Sequence, residues 1–259
     1  MAVFFWDLGI SKSGKGRTLS RIVRILLVVL IAGASLASGQ VSASSDAAAV
    51  DPVAHVRGAR SWEYGPFLNY GTGVGDRSDF KFLWGGFQAG KPLSPVVHAG
   101  IFSGQFELSG NIMPLWQAYT PAASQRTYSY PLPGGGTGTA VGLFGGGTYR
   151  GVSLTPVILR WNFLTNSHRF QPWFQGAGGL IYTTHKFPPT LLVPHGTAGG
   201  TSVWNFSPQG GAGLHYFIRP KRSIDLGVNA VHISSASLGD KNPGVNASVQ
   251  FQFGYTYWK

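Results

Sequence analysis

The chain has 259 residues and a formal net charge of +11, although only 11% of its residues are charged. It contains no cysteine, which excludes a disulfide framework and thiolate metal sites. Beyond residue 43 no segment approaches 18 consecutive apolar residues, so the composition also excludes a helical membrane protein.

The first 43 residues have the features of an export signal. Five Lys and Arg residues between positions 12 and 24 precede the apolar run 25–32, and Val41-Ser42-Ala43 fits the pattern cut by signal peptidase. The apolar run is much shorter than the roughly 20 residues that span a bilayer, which argues against a membrane anchor. We therefore predict that residues 1–43 are a cleaved signal peptide. Its formal charge of +4 leaves +7 on the mature chain.

The next segment, residues 44–61, is polar and rich in alanine, and we predict a flexible periplasmic lead-in. The basic residues of the mature chain are scattered, with one cluster at 219–222. Scattered charge favours contact with the anionic head groups of outer-membrane lipid over binding of nucleic acid.

From residue 62 onward, apolar and polar residues alternate in segments of about 10 to 16 residues bounded by turn residues, which is typical of a transmembrane β-barrel. The fold class predicted for residues 62–259 is all-β, an eight-stranded antiparallel barrel in the outer membrane. Closure is expected because lipid offers no hydrogen-bond partners to an open sheet edge. The predicted strands are Trp62–Thr72, Asp79–Gly90, Gly104–Tyr119, Gly147–Phe163, Phe170–Phe187, Val203–Ile218, Ser223–Leu238 and Val245–Trp258.

Two further expectations concern the loops and the lumen. The glycine-rich stretch 128–147 is predicted to be a flexible surface loop, because no Lys-Ser/Thr follows its glycines as a phosphate loop requires. Glu63, Glu107 and Asp225 alternate with apolar residues and are predicted to line the lumen, paired with basic residues such as Arg160. A barrel of eight strands is too narrow for an open pore, which argues against a porin.

The seventh predicted strand carries His232 and Ser234 at the end of an otherwise apolar stripe. Side chains at i and i+2 of a strand share one face, so this base and this hydroxyl should both face lipid. Nucleophilic ester chemistry requires such a pair, and its position indicates a lipid substrate. The alternative is two polar residues that lie among the head groups. The other histidines have no partner at metal-ligand spacing, so we predict no metal site.

The stretches 231–238 and 242–246 resemble the lipid A 3-O-deacylase (acyloxyacyl hydrolase-like) family of outer-membrane barrels. The resemblance implies hydrolysis of an ester-linked acyl chain of lipid A in lipopolysaccharide, without a cofactor, by a monomer or homodimer. In that family a His-x-Ser-Asn-Ala signature supplies the base, the nucleophile and the oxyanion donor, and a Glu about fourteen residues after the histidine completes the triad. The resemblance therefore implies that His232 is the general base and Ser234 the nucleophile.

The chain departs from the family pattern at two positions, since Ser235 replaces the Asn and Asn246 replaces the Glu. The resemblance assigns the oxyanion to Ser235 and the orientation of His232 to Asn246, whose amide oxygen can accept a bond from the imidazole. Asp240, the only carboxylate in the loop at 239–245, is the alternative acid. Loss of an oxyanion donor costs roughly 10²–10³ in rate, and an amide in place of the acid about 10⁴. Asn246 lies on the polar phase of the last strand and reaches His232 only if a bulge or the loop at 239–245 resets that phase. The alternative function is a non-catalytic outer-membrane barrel with a structural or adhesion role.

Overall fold

The computed structural model of the protein describes residues 51–121, 124–144, 147–188, 202–238 and 246–259. The predicted signal peptide and Asp240 lie outside the described residues. No helix within these ranges is long and apolar enough to cross a membrane.

Eight strands form a closed barrel, as predicted, and every neighbouring pair in it is antiparallel. A short helix, α1 (Pro52–Ala59), precedes them, and the first strand pairs with both the second and the last to close the sheet. The barrel strands are β1 (Glu63–Gly73), β2 (Lys81–Pro92), β3 (Gly104–Tyr119), β6 (Thr148–Phe163), β7 (Phe170–Phe187), β8 (Ser202–Arg219), β9 (Arg222–His232) and β10 (Ala247–Trp258).

Because polar and apolar residues alternate along each strand, the polar ones face the lumen and the apolar ones face outward. In β10 the outward Phe251 and Phe253 are exposed, whereas the alternating Ser248, Gln250 and Gln252 are buried inside. Polar side chains in the lumen and apolar ones on the wall are the arrangement that a bilayer requires of a barrel. The wall therefore presents hydrocarbon to lipid along its strands.

A β-hairpin stands in the stretch predicted to be a flexible loop. Strands β4 (Ser124–Pro131) and β5 (Thr137–Phe144) form a separate two-stranded sheet. The turn between them uses Gly134, Gly135 and Gly136, which have φ angles of 96°, 94° and 92°. Glycine reaches this left-handed region without a steric penalty. The glycine run therefore makes a turn between two paired strands that the sequence analysis did not predict.

The helix α1 occupies part of the segment for which the sequence predicted a flexible lead-in and no helix. Its Val53 and Val56 are buried in a cluster with Phe217 and Trp258, at the barrel end where the chain termini meet. Apolar burial of this kind is what stabilises a helix too short to form alone. The periodic spacing of only two valines gave no usable helical signal.

The side chain of Asp51 caps α1 by accepting a hydrogen bond of 3.1 Å from the Ala54 N–H. Its other oxygen lies 2.8 Å from Nδ1 of His168 in the β6–β7 turn. Partial burial raises the pKa of Asp51, but the bonds from Ala54 and His168 outweigh it and lower that pKa below its ordinary value. The ionised carboxylate therefore holds the start of the helix against the barrel.

The lumen contains two layers of buried side chains. A polar layer holds Arg160, whose Nη1 lies 2.9 Å from Glu63 Oε1 and 3.1 Å from Glu107 Oε1, which confirms the predicted pairing. The second layer is an apolar cluster that includes Phe82, Trp84, Trp116, Ile181 and Phe187. These side chains occupy the inside of the barrel as expected for a wall of eight strands.

Candidate functional site

His232 and Ser234 lie on the outward face of the barrel, at the end of β9 remote from the chain termini. Ser234 continues the sheet through a bridge to Phe206, with backbone N···O distances of 2.9 and 2.7 Å. The intervening Ile233 and the preceding Val231 are buried inside. The structure therefore brings the predicted base and nucleophile to one face, about 6.6 Å apart along the backbone at ordinary strand spacing.

The chain leaves the strand immediately after this pair, earlier than the predicted end at Leu238. Ala236 has a φ of 48°, and a 3-10 turn, Ala236–Leu238, follows. The Ala236 N–H donates a hydrogen bond of 3.1 Å to Ser234 Oγ. A left-handed φ at a residue with a side chain is strained and is often found at functional sites. This bond occupies an acceptor lone pair of the hydroxyl and not its proton.

His232 is half-buried in a shallow groove of the outer wall with a volume of about 320 Å³. The groove is made by small or unbranched residues on β8, β9 and β10, among them Pro208, Gly210, Ala230 and Ala247. Ala247 is the direct partner of His232 in the β9–β10 ladder. The imidazole therefore borders a mainly apolar depression on the face of the wall that is turned to the membrane.

Asn246 is turned to the opposite side of the wall. It is 2% exposed, its backbone O accepts a bond of 2.9 Å from the Ile233 N–H, and its Nδ2 donates one of 3.1 Å to the Ile233 O. The β9–β10 register runs without a bulge from Ala247 onward, so nothing resets the strand phase. The structure therefore does not bring Asn246 to His232, contrary to the orienting role that the family position implied.

Ser235 also faces the lumen. Its side chain is fully buried, and Oγ has no hydrogen-bond partner in the described part of the chain. The oxyanion of an ester bound on the outer wall lies on the other face from this hydroxyl. The structure therefore does not support the Ser235 side chain as its donor. The alternative acid, Asp240, falls outside the described residues.

The lumen contains a buried contact between a histidine and a carboxylate that was not predicted from the sequence. His215 Nδ1 lies 2.7 Å from Asp225 Oδ1, which also accepts a bond of 2.8 Å from Ser223 Oγ. The short turn between β8 and β9 sets the register that places His215 opposite Asp225. This turn is visible in the sequence and could have predicted the pair. Both His215 and Ser223 contact the carboxylate and not each other, so they form no nucleophile–base pair. No group of three metal-ligating side chains occurs within the described ranges.

The closed barrel, with an apolar wall, a charged lumen and a His–Ser pair at its outward rim, defines an integral outer-membrane β-barrel. A family model described as Lipid A 3-O-deacylase (PagL) matches residues 105–256, and the chain belongs to this family. Acyloxyacyl hydrolase is the name of a different family, so that part of the sequence-based description was wrong.

Several solved outer-membrane proteins are similar to the chain. The crystal structure of the outer membrane enzyme PagL has 15% identity and a TM-score of 0.40, covering 74% of this chain and 98% of that one. Neisserial surface protein A has 12% identity and a TM-score of 0.42, covering 76% and 96%. OprG from Pseudomonas aeruginosa has 11% identity and a TM-score of 0.37, covering 77% and 95%. No curated protein matches the chain.

Proposed function

We propose that the protein hydrolyses an ester-linked acyl chain of lipid A in the outer leaflet, with Ser234 as nucleophile and His232 as general base. The observation that carries the proposal is the shared outward face of these two residues beside an apolar groove. Family membership supports the reaction type, because the family is one of lipid A ester hydrolases.

In the proposed mechanism His232 accepts the Ser234 proton while Oγ attacks the ester carbonyl. The tetrahedral intermediate collapses, its carbon–oxygen bond to the sugar breaks, and the imidazolium returns the proton to the departing sugar hydroxyl. Water, deprotonated by His232, then cleaves the acyl-enzyme and releases the fatty acid. Because the Ser235 side chain faces the lumen, we assign the oxyanion to the backbone N–H of Ser235. The N–H groups of Ile233, Ser234 and Ala236 already donate to Asn246 O, Phe206 O and Ser234 Oγ.

The mechanism also needs a third residue, which orients His232. Asn246 faces the lumen, so we transfer the orientation of His232 to Asp240, the first carboxylate that follows His232 in the sequence. A carboxylate holds the productive imidazole tautomer and stabilises the imidazolium, and its loss costs about 10⁴ in rate in a serine hydrolase.

Mass spectrometry of fatty acid released from lipid A in mixed micelles tests the assignment. Ser234→Ala and His232→Ala should each abolish release while the barrel stays folded, as shown by its heat-dependent shift on a gel. Matched controls are Ser78→Ala and His98→Ala, since both residues are exposed on loops away from the groove. Wild-type release by either the Ser234 or the His232 variant refutes the mechanism.

One observation favours a second function. None of the four ion pairs among the described residues includes His232, so no described carboxylate forms an ion pair with it. A barrel that has lost the triad acid would serve a structural or adhesion role in the outer membrane. Mass spectrometry of lipid A from cells with and without the protein separates the two functions. An unchanged acylation pattern, with folded protein in the outer membrane, favours the non-catalytic barrel.

A further inference from the structure

A second and larger groove lies on the outer wall, across β1, β2, β3 and β6, with a volume of about 650 Å³. Its floor is made of small residues such as Ala89 and Gly110, and its rim of Phe87, Ile112 and Tyr64. The β2–β3, β3–β6 and β6–β7 ladders all shift register near this level. Bulges bend strands locally, and small side chains between large ones leave a trough the width of a chain.

Two cations stand at the end of this groove that is nearer the chain termini. Lys91 follows Ala89 by two residues and shares its outward face, with Nζ 5.2 Å from the centroid of the Trp62 ring. The Arg222 guanidinium lies 5.2 Å from the centroid of Tyr257, a ring that lines the groove. The ladder runs from Arg222 through Tyr257 and Tyr64 to Ala89, so both cations border the same trough.

The acidic residues of these strands are all turned away from the groove. Glu63, Glu107 and Asp225 are buried in the lumen, 1%, 0% and 5% exposed. The outward wall at this end therefore carries cations and aromatic rings, with no carboxylate among the described residues of these strands. Trp62 and Lys259 exchange two backbone hydrogen bonds of 2.8 Å here, so β1 begins and β10 ends at this end of the barrel. The short turn between β8 and β9 lies at the same end, and short turns of such barrels face the periplasm.

We propose that this surface, the Lys91 groove, binds an anionic phospholipid of the periplasmic leaflet. The phosphate contacts Lys91 and Arg222, and one acyl chain lies over Ala89 and Gly110. Aromatic rings and basic side chains at the membrane interface are the groups that hold lipid head groups at this depth. The site lies at the opposite end of the wall from His232, and it does not depend on the proposed hydrolase activity.

Native mass spectrometry tests whether the cations select an anionic lipid. The mature protein is released from micelles that contain equal amounts of phosphatidylglycerol and phosphatidylcholine. Wild type should retain phosphatidylglycerol preferentially. Lys91→Gln should lower the ratio of the two lipids about fivefold, the contribution of one cation near a membrane surface. Lys221→Gln, in the exposed turn at the same end, is the matched control and should leave the ratio unchanged.

A second pair of variants tests the groove. Ala89→Phe fills the trough and should reduce retention of both lipids, whereas Ala212→Phe, at an outward position on β8, should not. Equal retention of the two lipids by wild type, or equal ratios for the Lys91 and Lys221 variants, overturns the proposal. A dimer that Ala89→Phe dissociates also overturns it, because the groove would then be an interface between copies. Ser234→Ala should bind lipid like wild type, which separates this test from that of the hydrolase.

Discussion

Replacement of Arg160 by methionine tests whether the lumen is held together by its charges. Arg160 is 1% exposed and bonds to Glu63 and Glu107, and its Nε and Nη2 lie 3.2 and 3.0 Å from Gln175 Oε1. Its guanidinium also stacks 4.8 Å from the centroid of Trp173. Methionine keeps the apolar contact with the ring and removes every donor.

The expected loss follows from what the substitution leaves behind. Two carboxylates, 1% and 0% exposed, remain in the lumen without their cation. Breaking a buried ion pair by removing one partner costs about 3–5 kcal/mol, a large share of the roughly 5–15 kcal/mol that stabilises a domain. We therefore expect Arg160→Met to lower the free energy of unfolding by about 3–5 kcal/mol.

The triple variant Arg160→Met, Glu63→Gln, Glu107→Gln provides the control. Glutamine retains an acceptor for Gln88 and Asn162, which donate to Glu63 and Glu107 at 2.8 and 2.7 Å. Without the charges of Arg160, Glu63 and Glu107, the stability should return to within about 2 kcal/mol of wild type. Urea unfolding in lipid vesicles measures all three proteins. A single variant as stable as wild type, or a triple variant as unstable as the single one, would refute the reasoning.

The remaining predictions concern the site and the helix. Asn246→Glu should not raise the rate of fatty acid release, and it should lower stability because the new carboxylate would be buried in the lumen. Asp240→Asn should lower the rate of release. The opposite results in the release assay would return the orienting role to Asn246. Asp51→Ala should loosen α1 by about 1 kcal/mol through loss of its cap, measured by hydrogen exchange of residues 52–59. Because the folded pKa of Asp51 is lowered, its contribution is complete at neutral pH and is lost as the pH falls below about 4. Protection factors of residues 52–59 that are the same at pH 3 as at neutral pH would contradict this.

The sequence alone determined the barrel. Period-two alternation sorts side chains to the two faces of a strand, so the eight strands and their outward faces were predictable, and the bounds of Gly104–Tyr119 and Phe170–Phe187 coincide with those observed. The same rule placed Glu63 and Glu107 in the lumen with Arg160, because a charged side chain on these strands avoids lipid only by facing the lumen. It also placed His232 and Ser234 together on the outer wall.

Only the tertiary structure decided what those residues contact. The left-handed φ angle of Ala236 ends β9 earlier than predicted. A single φ angle leaves no trace in the hydrophobic pattern, so the sequence could not predict it. The glycine run became a hairpin turn because flanking strands paired across it, and α1 formed because Phe217 and Trp258 offered it an apolar surface. Asn246 was assigned by its distance from His232 along the chain. Alternation already put Asn246 on the polar face of the last strand, and the structure added that no bulge in the β9–β10 ladder carries its side chain to the outer wall.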